Sequence, residues 1–487
     1  MGLDIYFTDV FEVKPAILEK AGAFNVSLVN DLPLFVDPFL LFNSGKAEYQ
    51  SLHDEIIRYL RFLRDRSVEG HIDDGLLEAW FTFREVKQNW LGFSRVGNRG
   101  SGLGLDFARA LHRNLHTVFK SFGNETVTRG SHLEKLCLIK DGVGRDNISD
   151  FTTTLIKEYL LQYTQRFAQA HLAKQGRRVF TVEKIRFNYD TESWQRDHFE
   201  LPTFDDDFVM LTPKDLLSKD EIWINRPELL YRVDEIGAAL PNQALRAQVD
   251  RYFRQQLSKK PTDKEVRAAR ARTVEAFPEI IEYYIKLKEE TGEEARSISS
   301  RRIRDAERLF IEEVQALRHI LAESTAFYQT KGATYEEARA RAMFLKDVIE
   351  NKGGHRIFWV KGEPIRKEQD LHVLYRLTWF RSASDVSREV DDGRGPADFK
   401  VSRGAADKSL VEFKLGSNPK LKQNLQKQVA VYQKASDARH ALKVITYFTV
   451  AERDRVDAIL KELKLTNSPD IVLIDARSDN KPSGSKA

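Results

Sequence analysis

The chain has 487 residues, too many for one ordinary hydrophobic core, so two or three domains are expected. It is 41% hydrophobic and 31% charged, without the run of roughly 18 apolar residues that a bilayer-spanning helix needs. The start, MGLDIYFTDVFEVK, has no basic stretch leading into an apolar one, and one cysteine, Cys137, excludes an intrachain disulfide and a cysteine zinc site; a cytoplasmic protein is expected. The net charge of +4 is too small to name a partner.

Residues 1–235 read as a mixed or mainly helical recognition or regulatory region. Leu52, Ile56, Tyr59, Leu60 and Leu63 make one apolar face of a helix over 49–63, and another helix follows Leu77. The glycine-rich SRVGNRGSGLGLDFARALHRNL is not a Walker loop, because no Lys-Ser/Thr follows the glycines, and an irregular turn is expected there. Asp150 is placed as the cap of a helix running through TTTLIKEYLLQYTQRFAQAHL. Asp205, Asp206 and Asp207 fit a solvated loop better than a cation site, and His53, His132, His171 and His198 lack metal-ligand spacing.

Residues 236–352 read as long charged helices, a spacer or a homodimerisation arm. Phe310, Val314, Leu317 and Leu321 recur at helical spacing, Pro278 divides two helical stretches, and Thr334 with Glu337 resembles a capping box. Interleaved acids make KEVRAARAR as much a solvated face as a phosphate contact.

Residues 353–477 follow an α/β order, with 478–487 as a disordered tail. Helices are expected over 365–380, 420–435 and 452–465, and strands over 397–402, 409–415, 442–450 and 471–474. From Lys361 onward there are 24 lysines and arginines against 18 acids, a local net of +6. In strand period, Glu412 and Lys414 share one face while Val411, Phe413 and Leu415 share the other. A hairpin would bring Asp398 alongside Glu412. Two such carboxylates suit Mg²⁺ or Mn²⁺, which could activate water, with Lys414 positioning it. An idle ion pair is the plain alternative, although charges inside the apolar LVEFKL are costly to keep without a role.

The stretch GRGPADFKVSRGAADKSLVEFKLGSN resembles the core of the PD-(D/E)XK nuclease superfamily, with P-x-D where that family often has P-D. The resemblance implies a restriction-endonuclease-like fold, Glu368, Asp398 and Glu412 as metal ligands, and Lys414 as the catalytic lysine. Gln428 and Tyr432 are similar to the Q-x-x-x-Y element of RecB-like members, which orders the site or contacts DNA. Arg394, Lys420 and Lys422 are the expected further substrate contacts. The expected whole is a multidomain α+β, Mg²⁺-dependent DNA endonuclease, of the kind found among restriction and phage-defence effectors, acting with a defence-system partner or as a homo-oligomer. The alternative is a catalytically inactive, nuclease-like nucleic-acid-binding or assembly protein.

Overall fold

The structure is a computed structural model. It describes residues 6–481 except 29–30, 70–71, 84, 92–103, 106–107, 110, 113–114, 116–121, 124, 140–142, 220, 313–332, 352–353, 361–362, 365–370, 373–374, 376–378, 380–383, 392–395, 404–406 and 427–439. The glycine-rich turn and the stripe Val314–Leu317–Leu321 therefore lie largely outside the described residues. The chain is a multidomain protein, with mixed, largely helical N-terminal and middle regions and a C-terminal mixed α/β sheet region. No described helix is long and apolar enough to cross a membrane.

In the N-terminal region a short strand β1 (Leu34–Val36) precedes α1 (Ala47–Glu69) and α2 (Asp74–Phe81). The expected face of α1 is the one that packs: Ile56, Tyr59, Leu60 and Leu63 are buried, and the Tyr59 hydroxyl donates to the Trp80 carbonyl at 2.8 Å. The helix expected after Asp150 is two helices, α3 (Arg145–Leu155) and α4 (Lys157–His171), separated at Ile156. Asp150 does not cap either of them. It lies inside α3, whose start is instead held by the Asn147 side chain accepting from the Gly144 N–H at 2.9 Å. A long hairpin then follows, β2 (Arg177–Asn188) and β3 (Ser193–Phe204), with β4 (Asp207–Phe208) turned back on its end. Asp205 and Asp206 form that turn at φ of 47° and 64°, which short polar residues tolerate. Strand β5 (Leu217–Lys219) pairs antiparallel with β1.

Before residue 308 the described helices of the middle region have 12–16 residues each. They are α5 (Arg226–Ala239), α6 (Gln243–Gln255), α7 (Asp263–Ala276), α8 (Glu279–Glu290) and α9 (Gly292–Glu307). Pro278 divides α7 from α8, as its ring and missing N–H require. Glu289 on α8 accepts from the backbone N–H groups of Arg129 and Gly130 and from His132 Nε2 at 2.7, 3.1 and 2.8 Å, which ties this region to the N-terminal one.

The C-terminal region begins with α10 (Thr334–Asn351), which packs on a five-stranded sheet of β6 (Asp385–Asp391), β7 (Pro396–Arg403), β8 (Asp407–Leu415), β9 (His440–Tyr447) and β10 (Ile471–Asp475). The order is β10-β9-β8-β7-β6, antiparallel across β6, β7 and β8, then parallel through β9 to β10. Helix α11 (Val450–Glu462) makes the crossover from β9 to β10, and the edge strand β6 was not foreseen.

The capping box expected at Thr334 does not form. The Thr334 N–H and hydroxyl both donate to the Asp407 carboxylate, at 3.0 and 2.7 Å, and the hydroxyl also meets Ser409 Oγ at 2.7 Å. Glu337 turns inward and accepts from Arg341 and Arg403, both at 2.7 Å, and from Ser384 at 2.6 Å. Tertiary partners thus replace the local cap, and they fasten α10 to the β6–β7–β8 sheet. Glu337 and Arg341 are almost wholly buried, so their charges must be met within the protein. Glu337→Ala should therefore lower the unfolding free energy by about 3–5 kcal/mol. Arg403→Ala, at the half-exposed end of the network, should cost clearly less; urea denaturation of both variants measures the difference.

Candidate functional site: buried carboxylates and lysines on the C-terminal sheet

Alternation along β8 separates two chemistries, as the sequence predicts. Val411, Phe413 and Leu415 join Phe399, Val401, Leu442 and Val444 in the main core. Leu410, Glu412 and Lys414 take the other face. In the parallel register Glu412 lies opposite Lys443 and Lys414 opposite Ile445. That second face is not open to solvent. Ile445 packs with Leu421, Leu425, Val456, Ile459 and Leu460, an apolar layer supplied by residues 421–425 and α11. Glu412, Lys414 and Lys443 are in consequence only 3%, 7% and 3% exposed.

Asp398 enters from β7. The β7–β8 register runs as far as Phe399 opposite Val411, one step short of Asp398 and Glu412. There the Asp398 carboxylate takes the place of a ladder carbonyl: its Oδ2 accepts the Phe413 N–H at 2.5 Å. Lys414 Nζ stands 3.4 Å from the same oxygen and donates to the Phe413 carbonyl at 2.9 Å. His372 Nε2 is also 3.4 Å from Oδ2, without the geometry of a well-formed hydrogen bond, and its ring is edge-on to Phe399 and Phe413.

Burial alone would raise the Asp398 carboxyl. The His372, Lys414 and Phe413 N–H contacts outweigh it and bring the pKa down to about 2. Burial and the neighbouring Lys414 pull the Lys443 ammonium the other way, below the ordinary lysine range, with Glu412 opposing. Lys443 Nζ has no hydrogen-bond partner among the described residues.

This arrangement corrects the expected metal centre. A hard divalent ion needs several converging oxygen donors with lone pairs to spare. Among the described residues no group of three or more His, Cys, Asp or Glu side chains could hold a metal ion. Asp398 Oδ2 is engaged by a backbone N–H and faced by the Lys414 ammonium and the His372 ring, and Glu412 lies opposite a lysine in the strand register. The charge that Mg²⁺ or Mn²⁺ was expected to bring is supplied by Lys414 and Lys443. The residues do not fit the cofactor, and the expectation of a metal-dependent deoxyribonuclease of restriction type fails with it.

Of the other expected site residues, Glu368, Arg394, Gln428 and Tyr432 lie outside the described residues. Lys420 is exposed, while Lys422 pairs with Glu462 at 2.5 Å. Sequence reasoning missed His372 and Lys443. Lys443 carried the same signal as Lys414, a lone charge inside an apolar strand, ALKVITYF. His372 sits in the apolar LHVLY, where nothing marks it out.

Two family models match the chain. Residues 12–225 match one described as "Domain of unknown function (DUF8370)", and residues 334–450 one described as "Domain of unknown function (DUF8371)". No curated protein and no solved structure matches. The second match runs from the start of α10 to the start of α11 and so contains the whole carboxylate–lysine cluster.

Two outcomes follow from the cluster. Lys443→Met removes the longer-range attraction that Lys443 offers Glu412 across the strands, where no direct ion pair forms, and should destabilise the fold by about 1 kcal/mol, with the double exchange Glu412→Gln/Lys443→Met regaining most of the loss. Unchanged urea midpoints for the single variant would show that the pair carries no weight. The Asp398 pKa is depressed from 3.8 to about 2, so its contribution is complete above about pH 4 and is lost as pH falls through about 2. Asp398→Asn should therefore flatten the dependence of stability on pH across that window, read by thermal melts at stepped pH.

Proposed function

We propose that the C-terminal region is a restriction-endonuclease-like domain that binds nucleic acid without cutting it. The observation that carries this reading is that Asp398, Glu412 and Lys414 come from neighbouring strands of a mixed sheet, yet the carboxylates are offset by lysines of the protein itself. A hairpin leading into parallel strands joined by helices, with acids on the second hairpin strand, is the arrangement that the PD-(D/E)XK resemblance implies. The built-in cations account for a domain that keeps the scaffold and lacks the hydrolytic centre.

The local charge supports a polyanionic ligand. The net of +6 from Lys361 onward is larger than the +4 of the whole chain. Lys420, Lys461 and Lys464 are exposed, on the loop after β8 and at the end of α11. Cations so placed contact phosphates and give affinity without reading sequence.

The test uses the full chain with fluorescein-labelled duplex DNA, single-stranded DNA and RNA. Binding should be measurable by anisotropy at 50 mM salt and fall steeply by 200 mM. Gels of the same mixtures should show intact strands in EDTA, Mg²⁺ and Mn²⁺ alike. Absence of binding to all three at low salt would sink the reading.

A further inference from the structure

A second cationic surface lies far from that sheet in sequence, on α9. Between Glu294 and Asp305 this helix carries Arg296, Arg301, Arg302 and Arg304 and no acid, and Arg308 follows in the wide helical turn Arg308–Glu312. All five are exposed. The opposite stripe, Ala295, Ser299, Ile303 and Ala306, is buried, and the Ser299 hydroxyl donates to the Leu217 carbonyl, so the helix is seated on β5. Helical spacing then sets Arg301 and Arg304 near one another, with Arg304 also at the edge of the cleft between α9 and the N-terminal region, and Arg308 follows one turn on.

The ion pairs nearby divide the cations into two groups. In the cleft of about 460 Å³ between α9 and the N-terminal region, Lys46 is held by Asp215 and Lys214 by Glu19 and Glu307. Arg296 is paired with Glu293. Arg304 meets the uncharged Ser300 hydroxyl at 2.9 Å, and Arg301, Arg304 and Arg308 have no acidic partner among the described residues. Three arginines with no acidic partner among the described residues, on and just after a helix seated against β5, make a ridge suited to an external anion.

We infer that the Arg301–Arg304–Arg308 ridge is a contact for the phosphodiester backbone of nucleic acid, an inference that rests on the nucleic-acid reading above. At a rise of about 1.5 Å per residue, Arg301 to Arg308 spans roughly 10 Å, the axial length of about three phosphates of one strand. Guanidinium groups bind phosphate in a fork that ammonium groups do not reproduce. A lipid surface fits less well. A membrane-lying helix needs apolar side chains free to insert. The apolar side of α9 is buried, and the large hydrophobic residues that are exposed among the described residues, Val68, Val179, Tyr231, Met343 and Val450, all lie elsewhere.

The experiment compares the full-length wild type with R301Q/R304Q/R308Q and R301K/R304K/R308K, by anisotropy on duplex DNA, single-stranded DNA and RNA from 50 to 200 mM salt. Thermal melts check that the exposed substitutions leave folding intact. The glutamine variant should bind at least about tenfold more weakly at 50 mM salt, with the slope of log K against log salt shallower by about 2–3. The lysine variant should keep most of the slope. A wild type that binds while the glutamine variant matches it in affinity and slope overturns the ridge and leaves the C-terminal reading standing. A wild type that binds no nucleic acid removes that reading itself. Wild-type binding to vesicles of phosphatidylserine and phosphatidylcholine, lost in the glutamine variant and without nucleic-acid binding, would assign the ridge to a membrane.

Discussion

Charge buried on the second face of β8 has to be balanced inside the protein, and that constraint shapes the C-terminal region. Glu412, Lys414 and Lys443 sit beneath an apolar layer, where an unmatched ion would cost several kcal/mol. The sheet meets this cost through register. Parallel pairing of β8 with β9 puts Lys443 opposite Glu412, and the parting of β7 from β8 lets Asp398 accept the Phe413 N–H beside Lys414. A slip of one residue in either pairing would carry these charges to the Val411–Phe413 side, where the main core has no partner for them.

The same logic operates on the helix that covers the opposite face of the sheet. Glu337 is shared by Arg341, Arg403 and Ser384, and the Arg341 guanidinium lies 4.5 Å from the Trp379 ring centroid. Asp407, at the start of β8, answers Thr334 at the start of α10. The hairpin that carries the candidate site is thereby held at its outer end by α10 and at its inner end by the Asp398–Phe413 bond. Both anchors use carboxylates, so Glu337, Asp407 and Asp398 serve the cohesion of the region.

Much of this was legible in the residues. The parity of LVEFKL separates Glu412 and Lys414 from the core side chains, and Pro278 divides two helices. The readings that failed share a cause. Strand parity says which residues share a face and not what covers it, so the site was read as open to a cofactor when residues 421–425 and α11 seal it. Thr334 and Glu337 have a local capping pattern, but a carboxylate 73 residues away is the better partner for Thr334. Asp150 has a capping side chain, yet the helix begins earlier because Asn147 holds Gly144. The β2–β3 hairpin escaped notice because its strands carry many charges and its apolar set, Val182, Ile185 and Phe187, is put out of step by a bulge between Val182 and Arg186. Lys443 was legible in principle, by the rule applied to Lys414.

Bulk charge misleads here for a related reason. The +4 of the chain resolves into +6 from Lys361 onward and −2 before it, yet the α9 ridge lies in the acidic part. What matters to a polyanion is the set of cations that have no acid to hold them. Lys414 and Lys443 belong to the interior, and Lys46, Lys214 and Lys422 are matched at the surface. Screening by salt weakens only charges that water reaches. The interior pairs should therefore register in stability and be nearly silent in the salt dependence of binding, while exposed arginines do the reverse. The two kinds of cation can thus be told apart in solution, although they are alike in the sequence.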